Sequence, residues 1–122
     1  MATDPLEKIV DVLHRTIVAM VRRDGPDLTA RQLSVFLTCY LDDEAQTVRG
    51  LAAQLNVSKS AITRAVHRLA EFHLVRRSID PLDRRSALIQ RTLPGAEFLN
   101  VLQGMLVEAE REAEKAPSTT WC

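Results

Sequence analysis

The sequence predicts a mainly α-helical domain with one small β-hairpin, in which successive helices turn into one another, a hairpin follows, and a last helix closes the chain. Three observations carry this. Apolar residues recur at three- and four-residue spacing through most of the chain. That spacing gives way to short mixed runs only between Val75 and Leu93. Asp, Gly, Pro and Asn punctuate the segments where helices should begin or stop. At 122 residues, with 46% hydrophobic and 26% charged residues, the chain has one domain's length and enough apolar surface for a core without staples.

The first helix carries Leu6, Ile9, Val10, Leu13, Ile17, Met20 and Val21, with Asp4 as cap and Pro5 in the first turn, and Asp24-Gly25-Pro26 stops it. Leu33, Phe36, Leu37, Tyr40 and Leu41 form a second stripe after the capping candidate Thr29, ending near Asp42-Asp43. A short third helix spans Val48 to Leu55, and Asn56 stands where a left-handed stop is expected. Ser58 is the N-cap candidate of a fourth helix reaching Phe72. The runs Val75 to Ile79 and Ala87 to Leu93 make the hairpin, with Asp80-Pro81-Leu82-Asp83-Arg84-Arg85 at its tip. A fifth helix opens at Pro94 or Gly95 and runs to about Glu114. Its apolar arc, Phe98, Leu99, Val101, Leu102, Met105, Leu106 and Ala109, is wider than one contact needs and points to a partner helix. The tail 116–122 has turn formers and no periodicity and is expected to be mobile.

The formal net charge is zero, but it is unevenly distributed. Between positions 49 and 91 stand nine basic residues, Arg49, Lys59, Arg64, Arg68, Arg76, Arg77, Arg84, Arg85 and Arg91, against Glu71, Asp80 and Asp83. A basic middle between acidic flanks fits a polyanion-binding face; a solvated, salt-bridged surface is the alternative on charge alone. On a helical wheel Ser58 to Phe72 divides cleanly. Lys59, Ser60, Thr63, Arg64, His67, Arg68 and Glu71 fill one half; Ala61, Ile62, Ala65, Val66, Leu69 and Phe72 fill the other. Short hydroxyls and cations near a helix N-terminus suit phosphate. A helix, a tight turn at Asn56-Val57 and a second helix with that face make a helix-turn-helix, and the hairpin after it makes the arrangement winged.

Other functions find little support. No nucleophile elbow, phosphate-cradling glycine loop, HExxH or paired metal-ligand spacing accompanies His14, His67 and His73, so neither an enzyme nor a cofactor or metal is expected. Cys39 and Cys122 are too few for a disulfide framework; Cys39 reads as a small buried hydrophobe and Cys122 as part of the tail. No apolar stretch approaches the roughly 18 residues of a membrane span, and MATDPLEK lacks the features of a secretory signal, so a cytoplasmic protein is expected. The rival reading is a winged-helix module for protein interaction or assembly, but such a docking helix would more often expose aromatic or aliphatic anchors than hydroxyls and cations.

The stretch LAAQLNVSKSAITRAVHRL at 51–69 and the hairpin DPLDRRSALIQRTLPG at 80–95 resemble the multiple-antibiotic-resistance-regulator (MarR) family of bacterial transcription factors, over roughly Leu28 to Leu99. The resemblance implies a homodimer that binds a pseudo-palindromic operator in double-stranded DNA, usually as a repressor, and often releases it on binding a small phenolic or aromatic effector or on cysteine oxidation. It gives Ser58, Lys59, Ser60, Thr63 and Arg64 recognition-helix positions, and Asp83, Arg84 and Arg85 the wing motif. In physical terms Arg64, with Lys59, suits guanine contacts, Thr63 a thymine methyl, and Arg84 the minor groove. His67, Arg68, Arg76, Arg77 and Arg49 suit phosphates or local ion pairs, and Asp83 suits a wing salt bridge with one of the arginines. A ligand cleft of the family's type makes His14, Arg15 and Tyr40 candidate lining residues, although Tyr40 also fits the apolar stripe of its helix. The expected organisation is one domain over 1–122, with dimerisation helices at 1–23 and 94–115 around the winged helix-turn-helix at 28–93. The family typically continues into one further C-terminal helix, which this sequence does not reach, so dimerisation is expected to rest on the first and last helices.

Overall fold

Capping chemistry sets where the helices begin. Asp4 Oδ1 accepts the Leu6 N–H at 2.9 Å and opens α1 (Pro5–Arg22) with Pro5 in its first turn. Thr29 and Gln32 exchange side-chain to backbone hydrogen bonds, a reciprocal capping box that starts α2 (Ala30–Leu41). Thr47 Oγ1 accepts from Gly50 at the head of α3 (Val48–Leu55), and Asn56 ends that helix in the left-handed region at φ 56°. Ser58 Oγ accepts the Ala61 N–H at 3.1 Å and opens α4 (Lys59–Glu71). The computed structural model describes residues 4–82, 85 and 87–115. Asp83, Arg84, Cys122 and the rest of the tail 116–122 therefore lie outside the described residues.

The hairpin strands are β2 (Val75–Ile79) and β3 (Ala87–Arg91), antiparallel in the register Val75↔Arg91 to Ile79↔Ala87. A two-residue strand, β1 (Gln46–Thr47), adds to the far edge of β3, so the expected hairpin is part of a three-stranded sheet of order β1-β3-β2. Two residues give no periodicity to read, which is why the sequence does not announce β1. β3 also stops at Arg91, short of the expected Leu93. Thr92 intervenes and its hydroxyl accepts the Gly95 N–H at 3.0 Å, so α5 (Leu93–Lys115) starts at once.

The chain divides into two compact units, residues 28–99 and residues 1–27 with 100–122. In the first, α2, α3, α4 and the sheet enclose Val35, Phe36, Leu51, Ile62, Val66, Leu69, Leu74, Val75, Ile89 and Phe98. Phe36 stacks on Tyr40 at a centroid distance of 4.5 Å and meets Phe98 edge-on at 5.3 Å. In the second, α1 lies antiparallel to the later turns of α5: Lys8 pairs with Glu114 near one end, while Arg22 and Gly104 line a common cavity toward the other. Thr16, Met20, Leu102, Ala109 and Ala113 are buried. Leu6, Ile9, Val10, Leu13, Ile17 and Val21 of α1 are exposed.

Candidate nucleic-acid interface

The two halves of α4 part as its wheel predicts. Ala61, Ile62, Ala65, Val66 and Leu69 are buried and fix the helix to the core. Ser58, Lys59, Ser60, Arg64, His67 and Arg68 are exposed, and Thr63 is half-buried between the faces. The Ser58 hydroxyl is occupied by its cap, so Ser58 positions the helix start.

Contacts sort the cations into two groups. Lys59, Arg64, Arg49 and Arg77 are exposed and without a partner among the described residues. Arg68 is engaged: its guanidinium stands 3.6 Å from Glu71 and 4.6 Å from the centroid of Phe72. His67 faces the same carboxylate at 3.6 Å. Arg76, outward on β2, donates through Nε and Nη2 to the Gln90 Oε1 of β3 at 3.0 and 2.7 Å. Gln90 is a neutral acceptor, so it fixes the guanidinium without cancelling its charge. Arg85 is exposed near the hairpin tip. The Asp83 salt bridge and the minor-groove role of Arg84 fall on residues outside those described.

The candidate ligand residues separate. His14 and Arg15 line a cavity of about 690 Å³ within the α1–α5 unit, together with Arg22, Met105, Glu108 and Glu112. Arg15 is tied to Asp11 at 3.0 Å. Tyr40 is not among the lining residues. It lies in the other unit, 9% exposed, with its hydroxyl between the Leu74 carbonyl and Thr92. Cys39 is buried beside it, and desolvation pushes its thiol up to about 11, against a smaller opposing pull from Arg91. That is the environment of an inert core thiol.

Residues 28–87, the segment from just before α2 through the capped helix pair and β2 to the first residue of β3, match the sequence profile of the MarR family. The chain belongs to the MarR family. Members of this family are transcriptional regulators, not enzymes. Solved MarR-type structures agree over nearly the whole length. A MarR-family transcriptional regulator from Rhodococcus sp. RHA1 is 27% identical, with a TM-score of 0.63, covering 92% of this chain and 76% of its own. A point mutant of S. aureus MepR, at 16% identity, shares the fold with a TM-score of 0.74, covering 97% and 86% of the two chains. Overoxidised AbfR, solved bound to DNA, shares it at 19% identity and a TM-score of 0.65, covering 84% and 73%. No match was found among curated proteins. Among the described residues no helix is long and apolar enough to cross a membrane.

Arg91 is the side chain that sequence reasoning placed least well in this MarR fold. Counted there only as one more positive charge, it donates to the carbonyls of Cys39 and Asp42. Nothing in the linear pattern distinguishes an arginine that meets backbone carbonyls from one that meets solvent.

Proposed function

We propose that the chain is a homodimeric, sequence-specific double-stranded-DNA-binding regulator that represses from a pseudo-palindromic operator, working in the cytoplasm where that DNA lies. The observation that carries this reading is the outer face of α4. It presents Lys59, Ser60, Thr63 and Arg64 on a helix seated by its opposite face, with Lys59 and Arg64 unpartnered among the described residues. Such a helix can enter a major groove, where arginine pairs bidentately with guanine, while flanking cations neutralise phosphates. The exposed apolar side chains of α1 support a second copy as partner. A small aromatic effector has its best candidate place in the cavity holding His14 and Arg15; Tyr40, committed to the core, is left out.

Mobility shifts on a matched and a scrambled operator test the assignment. Arg64→Ala should cost about 1–3 kcal/mol on the matched site and little on the scrambled one. Arg76→Ala should weaken both equally and lower the salt slope by about 1. Loss of affinity in both variants with unchanged discrimination would contradict the placement of α4 in the groove.

A further inference from the structure

Two side chains fasten the roots of the hairpin to the end of α2, and neither lies on the face of α4. The Tyr40 hydroxyl donates to the Leu74 carbonyl at 2.6 Å and accepts the Thr92 N–H at 3.0 Å. Leu74 precedes β2 and Thr92 follows β3, so one oxygen ties the entry of the hairpin to its exit. Arg91, the last residue of β3, reaches the opposite way: Nε donates to the Cys39 carbonyl at 2.8 Å and Nη2 to that of Asp42 at 2.6 Å, with the guanidinium 5.8 Å from the Tyr40 ring centroid. Carbonyls at a helix C-terminus lack intrahelical partners, and the helix dipole favours a cation there. Thr92 completes the joint. Its hydroxyl donates to the carbonyl of His73, the left-handed residue (φ 63°) between α4 and β2. Gly95 makes room for this arrangement, because a Cβ there would collide with the Tyr40 hydroxyl and the Leu74 carbonyl.

We propose that Tyr40 and Arg91 are positioning residues for the wing, locking both hairpin roots to α2 so that the hairpin and α4 grip DNA as one rigid piece. The proposal rests on the DNA-binding reading above. Ile89, buried at the middle of β3 and paired with Gln46 of β1, also seats the hairpin, but toward the tip little else aims it: on β2 only Val75 is buried, while Arg76, Arg77 and Ile79 are exposed. Five residues of strand extend about 16 Å, so a tilt of about 10° at the root would carry the far end about 3 Å, the length of a hydrogen bond. A lock at the root therefore decides whether Arg85 meets its phosphate or groove.

The test uses the full chain and a duplex selected from a random pool by the wild-type protein, read by hydroxyl-radical footprinting. Tyr40→Phe keeps the ring against Phe36 and removes only the hydroxyl. Its protection of the flanking minor-groove positions should fall by about half or more while the major-groove pattern under α4 persists at saturation, with affinity down roughly 10-fold. Arg91→Lys keeps the charge but loses the two-pronged contact; it should give the same split and serves if Tyr40→Phe folds poorly. Protections that fall together in both variants, or do not change, would overturn the proposal. If the wild type selects no sequence at all, the DNA-binding reading itself fails, a result distinct from either.

Discussion

α4 and α1 are built on the same amphipathic repeat and meet opposite fates. Along α4 the apolar stripe is covered by its own chain: Ile62, Val66 and Leu69 are each 0% exposed. Along α1 the stripe, Met20 apart, faces outward, with Leu6 at 72% and Leu13 at 59% exposure. A helix stripe states that something must cover it, without saying whether the cover belongs to the same molecule. In α4 the covered side leaves the polar half free for another molecule. In α1 the apolar side is itself the surface on offer.

Two truncations of leucine bring this difference to a measurement, and the larger effect belongs to the covered helix. Leu69→Ala should lower the free energy of unfolding by about 2–5 kcal/mol, because a fully enclosed side chain leaves a cavity behind. Urea titrations should give that loss at every protein concentration. Leu13→Ala should do something else. Its side chain is worth about 1.5–3 kcal/mol only where a second copy buries it, so dimer dissociation should rise roughly 10- to 100-fold while the isolated chain is almost unaffected. Sedimentation equilibrium reads the dissociation, and the concentration dependence of thermal unfolding shows whether any lost stability comes through it. A Leu13→Ala chain that loses stability independently of concentration, with its association intact, would break the contrast between the two helices.

How far the sequence reaches follows the same line. α4 was legible because its two faces are chemically distinct, and Thr29, Asn56 and Ser58 mark helix boundaries by chemistry that acts within three residues. The apolar side of α4 packs where its wheel places it, and the polar side is exposed. What stayed hidden is long-range. β1 is only two residues long, and its pairing with β3 spans about forty positions. The contacts of Arg91 with Cys39 and Asp42 reach 52 and 49 positions back along the chain. Tyr40 shows the ambiguity most plainly: its place in an apolar stripe favours a core residue, but its hydroxyl leaves a ligand contact open until the partners of that oxygen, Leu74 and Thr92, are seen. The charge count failed in a related way, since it gave Arg64, Arg76 and Arg91 equal weight. The fold leaves Arg64 exposed, holds Arg76 against a neutral amide and turns Arg91 onto backbone carbonyls.

An effect confined to alkaline pH probes how completely residues 28–99 seal their interior, through the one cysteine described there. Burial raises the Cys39 thiol from 9.0 to about 11. In the unfolded chain the same thiol loses its proton at its ordinary value. Between those limits the unfolded state therefore binds fewer protons than the folded one, and stability must decline as pH rises. The Cys39 contribution is fully present below about pH 9 and is lost as the pH passes through about 11, with a limiting slope of about 1.4 kcal/mol per pH unit inside that window. Cys39→Ala removes the titrating group and keeps a small apolar side chain, so the stability difference between wild type and variant should be constant below about pH 9 and then shift steadily in the variant's favour as the pH rises toward about 11. Lysine deprotonation acts on both proteins and cancels in the difference. Curves that stay parallel through pH 11 would mean that the thiol already meets solvent in the folded chain, and that the cover over this part of the core is looser than the cover over α4.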